Sequence, residues 1–322
     1  PVSSHDGARL YVESSHALPL VSVVVALRTG NGHEPEGKDG LARLALRLLR
    51  RGVPGLDATA VDERIDALGA ELAVDTGASS VSIQGQVIAR NLEPFCQLLG
   101  QMITEATLPE EELERLKRET LAEILEGRDS DKHLVQRAFR RALFGKHPYG
   151  RDGAGTLTSV PTLTGSDVRA YLAEHRVRSN MVVGFAGDVT AEQAQRLTER
   201  LLAGVPAGPA PVDTIGEPAP VRGRRLVFVD KPERSQTQIL MGRLGTWGHD
   251  PDHVDLGVAT AIFGGTFTSR LMKEVRSKRG WSYGASARAA IDRRRHAFSL
   301  HTFPAATDAA PCMALELALW EA

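Results

Sequence analysis

The chain is predicted to be an α+β protein that uses one unit twice, each copy a mostly antiparallel sheet with helices packed on one face. Three observations predict this. Helical stretches alternate with runs such as Val21-Ser-Val-Val-Val-Ala-Leu27, whose alternating inward positions suit strands with one covered face. The same order of elements recurs in the two halves of the chain. Residues 206–220 (PAGPAPVDTIGEPAP), rich in Pro, Ala and Gly, carry no periodic pattern and read as a linker. The expected organisation is a domain over 1–205, a linker over 206–222 and a second domain over 223–322.

Taken in order, the first copy begins with strands at 8–12 and 21–27. A Gly-rich loop, a Leu/Arg helix at 41–52 and a second helix at 58–68 follow. Alternating strands occupy 70–87, and a helix at 92–104 ends the shared part. The first copy then adds a long charged helix at 109–126, further helices and a strand at 180–186. The second copy has strands at 225–229 and 236–241, helices at 252–263 and 269–279, strands within 285–302 and a last helix. It stops inside the counterpart of the 92–104 helix, so a fragment of a longer protein is expected.

Bulk properties narrow the function. The 322 residues are 42% hydrophobic and 25% charged, the composition of a globular chain long enough for two domains. A net charge of -1 argues against a nucleic-acid or anionic-membrane partner. Trp247, Trp281 and Trp320 form no stacking series. Cys96 and Cys312 cannot build a disulfide framework. The longest apolar run, 17–27, is too short to span a bilayer. The chain opens at Pro1 rather than Met, so a processed or trimmed N-terminus is expected.

The most telling helix is 41–52. It places Arg43, Arg47 and Arg50 on one stripe and Leu41, Leu44, Leu48 and Leu49 on the core side. Guanidinium groups stay charged and offer no lone pair, so this stripe cannot ligate a metal. Other candidates are weaker. Gly32-His-Glu-Pro-Glu-Gly-Lys38-Asp39 nearly fits a phosphate loop, but it ends in Asp, and Glu34 and Glu36 repel phosphate. His249 and His253 flank Pro251, which reads as a helix start rather than a metal pair. His33 and His147 are loop histidines read as structural. No G-x-S-x-G elbow is present.

An ordered set of segments carries a resemblance. Residues 20–30 with Gly37-Lys-Asp-Gly-Leu-Ala42, then Ile65-Asp-Ala-Leu-Gly-Ala-Glu-Leu72, come first. His147-Pro-Tyr-Gly150 with residues 153–156, and the strand 180–188 ending in Gly-Asp, come next. Gly264-Gly265, Ser269-Arg270-Leu271 and the stretch from Val275-Arg276 to Tyr283 complete it. Together these resemble the pitrilysin/insulinase family of zinc metallopeptidases across nearly the whole chain, which implies duplicated pitrilysin-like units. The resemblance also locates the departures. Where the family carries H-x-x-E-H, this chain reads Arg43-Leu44-Ala45-Leu46-Arg47, so Arg43, Leu46 and Arg47 hold degenerate metal-site positions. The family's third ligand falls at Glu123, with a one-residue uncertainty in frame. Glu123 reads either as a solvated helix residue or as an ion-pair partner of Arg47 or Arg43. The Arg/Tyr pair that grips substrate in the family maps to Arg276 and Tyr283. Such donors stabilise charge that develops on a scissile carbonyl.

The function implied by the resemblance is that of a zinc-less, Arg/Tyr-type subunit of a bacterial two-chain metallopeptidase, inactive alone. No cofactor is expected in this chain. Zinc is expected in a pitrilysin-like partner, the two halves closing as a clamshell on an unfolded peptide. The alternatives are an inactive assembly subunit resembling respiratory-complex core proteins, or a peptide-binding protein. A periplasmic location is favoured over a cytoplasmic one.

Overall fold

The computed structural model describes residues 2–5 and 7–321. It divides into two compact units that interleave in sequence: Pro1–Ile124 with Asp152–Thr214, and Leu125–Arg151 with Ile215–Ala322. The second unit therefore includes an inserted helix and the His147-Pro-Tyr-Gly150 turn, which a contiguous division at the linker leaves with the first. Helix α5 (Asp131–Phe144) packs on a strand of the C-terminal sheet, and tertiary packing of this kind is not visible in local sequence.

Unit 1 is a six-stranded sheet. In chain order it holds β1 (Val2–His5), β2 (Ala8–Ser14), β3 (Leu20–Leu27), β6 (Glu71–Thr76), β7 (Val81–Ile88) and β8 (Met181–Gly187), with a short β4–β5 hairpin (Gly52–Val53, Leu56–Asp57) outside it. The spatial order is β1-β2-β8-β3-β7-β6, and only the β2–β8 pair is parallel. Alternation decides which face is covered. Val21, Val23, Val25 and Leu27 of β3 are buried, with Val81, Ile83 and Val87 of β7 and Met181, Val183 and Phe185 of β8. The positions between them are only half-covered or exposed.

Helices α1 (Leu41–Leu48), α2 (Ala58–Ala67), α3 (Leu92–Thr104), α4 (Glu110–Glu126), α6 (Gly165–His175) and α7 (Ala191–Leu201) supply the other layer. Helix α1 packs on α6, β6 and β7, and α3 packs on α7 and β7. Gly85 lets α3 approach the sheet, since a Cβ there would lie 2.2 Å from Cζ of Phe95.

Unit 2 contains a three-stranded antiparallel sheet, β10-β11-β9, made of β9 (Ile239–Leu244), β10 (Ala285–Ala289) and β11 (Ala297–Thr302). Its core joins Ile239, Leu271, Val275, Ala287, Leu300 and Cys312. Helix α8 (His253–Thr260) and α9 (Ala309–Glu321) follow the same order as α1 and α3 in unit 1.

Several sequence expectations differ here: the helix expected over 41–52 ends at Leu48, and Gly52 already opens a short strand. Residues 225–229 form no strand, although their composition suits one, because among the described residues no strand pairs with them to complete a ladder. The expected 269–279 helix contains a π-helical stretch over Met272–Ser277. The choice of an i→i+5 over an i→i+4 bond leaves no mark in apolar spacing. Among the described residues no helix is long and apolar enough to cross a membrane.

Candidate functional site

Helix α1 begins at Gly40, whose φ of +98° favours glycine. Buried Glu34 lies at its N-terminus, and its carboxylate accepts from the Gly40 and Ala42 amides at 3.1 and 2.8 Å. This places a negative charge at the positive end of the helix. It also explains why the phosphate-like loop is not a phosphate site: a carboxylate already occupies the amides an anion would use.

The outward stripe of α1 is a guanidinium–carboxylate cluster. Arg43 Nη2 lies 2.7 Å from Glu123 Oε2, and Arg47 Nη1 lies 3.3 Å from Glu123 Oε1. Arg47 also reaches Glu119 at 3.0 Å and donates to the Thr120 hydroxyl at 3.4 Å. Just past the end of α1, Arg51 joins Glu119 at 3.6 Å, while Arg50 turns away from this cluster to Asp62 at 2.7 Å. Glu119, one helical turn before Glu123, is a member that sequence reasoning missed; its i−4 spacing on α4 was the available signal. Leu46 does not join this cluster, for it is 1% exposed within the core.

The residues at the metal-helix frame do not fit zinc. Arg43 and Arg47 have no lone pair, Leu46 has no donor atom, and both oxygens of Glu123 face guanidinium groups. Among the described residues no group of three or more His, Cys, Asp or Glu side chains stands together to hold a metal ion.

Of the other histidine candidates, His33 and His147 find partners remote in sequence and His253 a near one. His33 Nε2 lies 3.3 Å from Asp213, and His147 Nε2 lies 3.0 Å from the Gly216 carbonyl. His253 Nδ1 contacts the Asp250 carbonyl at 2.7 Å as α8 begins.

Unit 2 holds Arg276 and Tyr283 together. Arg276 lies in the π-helical stretch, and Gly280, with φ +65°, turns the chain back. The Gly280 amide donates to the Arg276 carbonyl at 2.9 Å and the Trp281 amide to that of Val275 at 3.1 Å. These bonds fix the spacing of the pair. Cζ of Arg276 then sits 4.2 Å from the Tyr283 ring centroid and 4.6 Å from that of Phe267. Both rings are open to solvent, 73% and 72% exposed.

Phe267 is a second residue missed from sequence, since nothing in its loop marked it as a flank for Arg276. Two neighbouring cations share one carboxylate: Lys278 and Arg279 both contact Glu274, at 2.6 and 2.8 Å, and these hydrogen bonds lower the Glu274 pKa. Arg276 has no carboxylate partner among the described residues. Its charge is held by two aromatic faces and stays available to an acceptor.

Comparison with known proteins gives the family and the fold. A family model for insulinase (peptidase family M16) matches residues 9–157, and one for the peptidase M16 inactive domain matches residues 162–320. The chain belongs to the peptidase M16, or insulinase, family. An uncharacterized zinc protease of Mycobacterium leprae is 28% identical over 284 residues, covering 86% of this chain and 62% of that protein. A Helicobacter pylori protein described as a non-peptidase homolog is 22% identical, covering 88% of this chain and 65% of its own. This M16 chain thus spans less than two thirds of the length of these curated relatives. Among solved structures, a peptidase M16 inactive domain from Pseudomonas fluorescens superposes with a TM-score of 0.92 at 25% identity, covering all of this chain and 78% of that one.

Proposed function

We propose that this M16 chain is the non-zinc subunit of a two-chain peptidase, contributing Arg276 and Tyr283 to a site completed by a zinc-bearing relative. The observation that carries the reading is the contrast between two arginine sets. Arg43 and Arg47 are bound up with Glu119 and Glu123, so α1 has nothing left to offer a metal. Arg276 keeps its charge between two exposed rings. In this reading the partner supplies the metal and the hydrolytic water. This chain supplies a fixed cation and a phenol that hold the peptide and stabilise the negative carbonyl oxygen.

The test is co-expression with a zinc-bearing M16 partner. The chain alone should hydrolyse no peptide, and the pair should be chelator-sensitive. Arg276→Ala should lower kcat/KM of the pair by roughly a hundredfold, while Tyr283→Phe, which keeps the ring against Arg276, should cost less. Full activity in both variants would favour an assembly role, and peptidase activity of the lone chain would overturn the reading.

A further inference from the structure

Tyr283 is open to solvent, yet the residues on either side of it are pinned. Ser282 is 4% exposed. Gly284 lies against the Phe303 ring, where a Cβ would come to 3.0 Å from Cε1 and Cζ. The antiparallel pairing of β10 with β11 ends at Ala285 and Thr302. The next amide past that end, on Phe303, is taken by a side chain: it donates to the Ser282 hydroxyl at 3.1 Å. The same hydroxyl donates to the Gly284 carbonyl at 2.7 Å and accepts from the Gly284 amide at 3.4 Å. A serine hydroxyl has one proton and two lone pairs, so its whole capacity is spent on this turn.

Bonds of this kind replace a ladder with a local turn. Ser282 and Gly284 are drawn together, and Tyr283 is left at the crown between them. Two further bonds tie this crown to the segment that carries Arg276. The Trp281 amide donates to the Val275 carbonyl at 3.1 Å. The Met272 sulfur accepts from the Ala285 amide at 3.2 Å. Met272 and Arg276 share the π-helical stretch Met272–Ser277, a geometry that concentrates at functional sites. One tie precedes Tyr283 and the other follows it. The path of the chain between them is governed by the Ser282 hydroxyl.

Packing does not do this work in its place. A side chain as open as Tyr283, at 73%, gains little burial to offset the entropy of being fixed. Its position against Arg276 therefore depends on the backbone beneath it.

We propose that Ser282 is a positioning residue: its hydroxyl fixes the turn that holds the Tyr283 ring 4.2 Å from Cζ of Arg276, so that phenol and guanidinium meet a peptide as one preset face. Donors set in advance stabilise developing charge better than donors that must reorganise. What this face binds rests on the proposed subunit role, whereas its placement is a property of the chain itself.

The test has two arms. In the isolated chain, nuclear Overhauser contacts between the Tyr283 ring and the Arg276 side chain should be present. They should be lost in Ser282→Ala and kept in Ser282→Thr, which retains the hydroxyl. Contacts that persist in Ser282→Ala, or that vanish equally in Ser282→Thr, would overturn the proposal. In the pair with a zinc-bearing M16 partner, Ser282→Ala should lower kcat/KM by about tenfold, the worth of one hydrogen bond, with most of the loss in kcat. Added to Tyr283→Ala, the same change should cost nothing further, because the ring it serves is gone. Equal losses in both backgrounds would make Ser282 a general structural residue and sink its role. If Tyr283→Ala and Arg276→Ala leave the pair fully active, the subunit reading fails, and the contacts in the isolated chain still decide whether Ser282 places Tyr283.

Discussion

Arg43, Arg47 and Glu123 show how a metal-helix frame can be kept without a metal. Each guanidinium takes one carboxylate oxygen, and the side chains are partly solvated, so each pair contributes at most about 1 kcal/mol. Glu123→Ala should therefore shift the unfolding midpoint little. Leu46 behaves differently because it is 1% exposed. Leu46→Glu would place a carboxylate in the core without a partner, and denaturant titration should show a loss of about 3 kcal/mol or more.

Glu316 of α9 already has such a position. It is wholly buried, and burial pushes its pKa from 4.5 up to about 7, against the lowering effect of the Thr302 hydroxyl. The folded state holds this proton more tightly than the unfolded one. Its contribution is therefore fully present below the ordinary value of 4.5 and is lost as pH rises through about 7. Unit 2 should become easier to unfold across that window, by up to about 1.4 kcal/mol per pH unit, and Glu316→Gln should flatten the slope. A native chain whose stability is level between these values would show that Glu316 is ionised in the fold.

At the scale of elements, periodicity read most of unit 1 and part of unit 2. The 92–104 helix matches α3, and the strand at 21–27 falls within β3. Residues 225–229 had the composition of a strand but lacked neighbours, and a ladder needs a partner whatever its sequence prefers. The π-helical stretch around Arg276 was legible only as a helix. Glycine marks a further dependence on packing: a Cβ at Gly264 would lie 2.5 Å from the Ala287 amide nitrogen and 2.6 Å from its Cβ. Gly264→Val should accordingly destabilise unit 2 by about 2 kcal/mol or more, seen as a lower denaturant midpoint for the Trp281 and Trp320 fluorescence.

For the whole molecule, the absence of donor atoms at the metal-helix frame makes a prediction about ligands. A resident ion that binds the native state raises stability by mass action, so an excess of chelator should leave the thermal unfolding curve of the isolated chain unmoved. Loss of several degrees on chelation, with transition metal found by elemental analysis, would show a site built from residues outside the α1 frame.

Sequence alone determined the duplicated α+β plan, the M16 resemblance and the chemistry lost at α1, because covalent identity settles whether a side chain has a lone pair. Through that resemblance it also pointed to Arg276 and Tyr283. Only the tertiary structure decided that Glu119 joins Glu123 in neutralising the arginines, that Leu46 points into the core, and that Phe267 completes the aromatic flank of Arg276. It also decided that 125–151 packs with the C-terminal sheet and that 225–229 stands without a strand partner. These depend on which distant segments meet, and contacts between remote residues are set by burial and chain topology rather than by any local pattern.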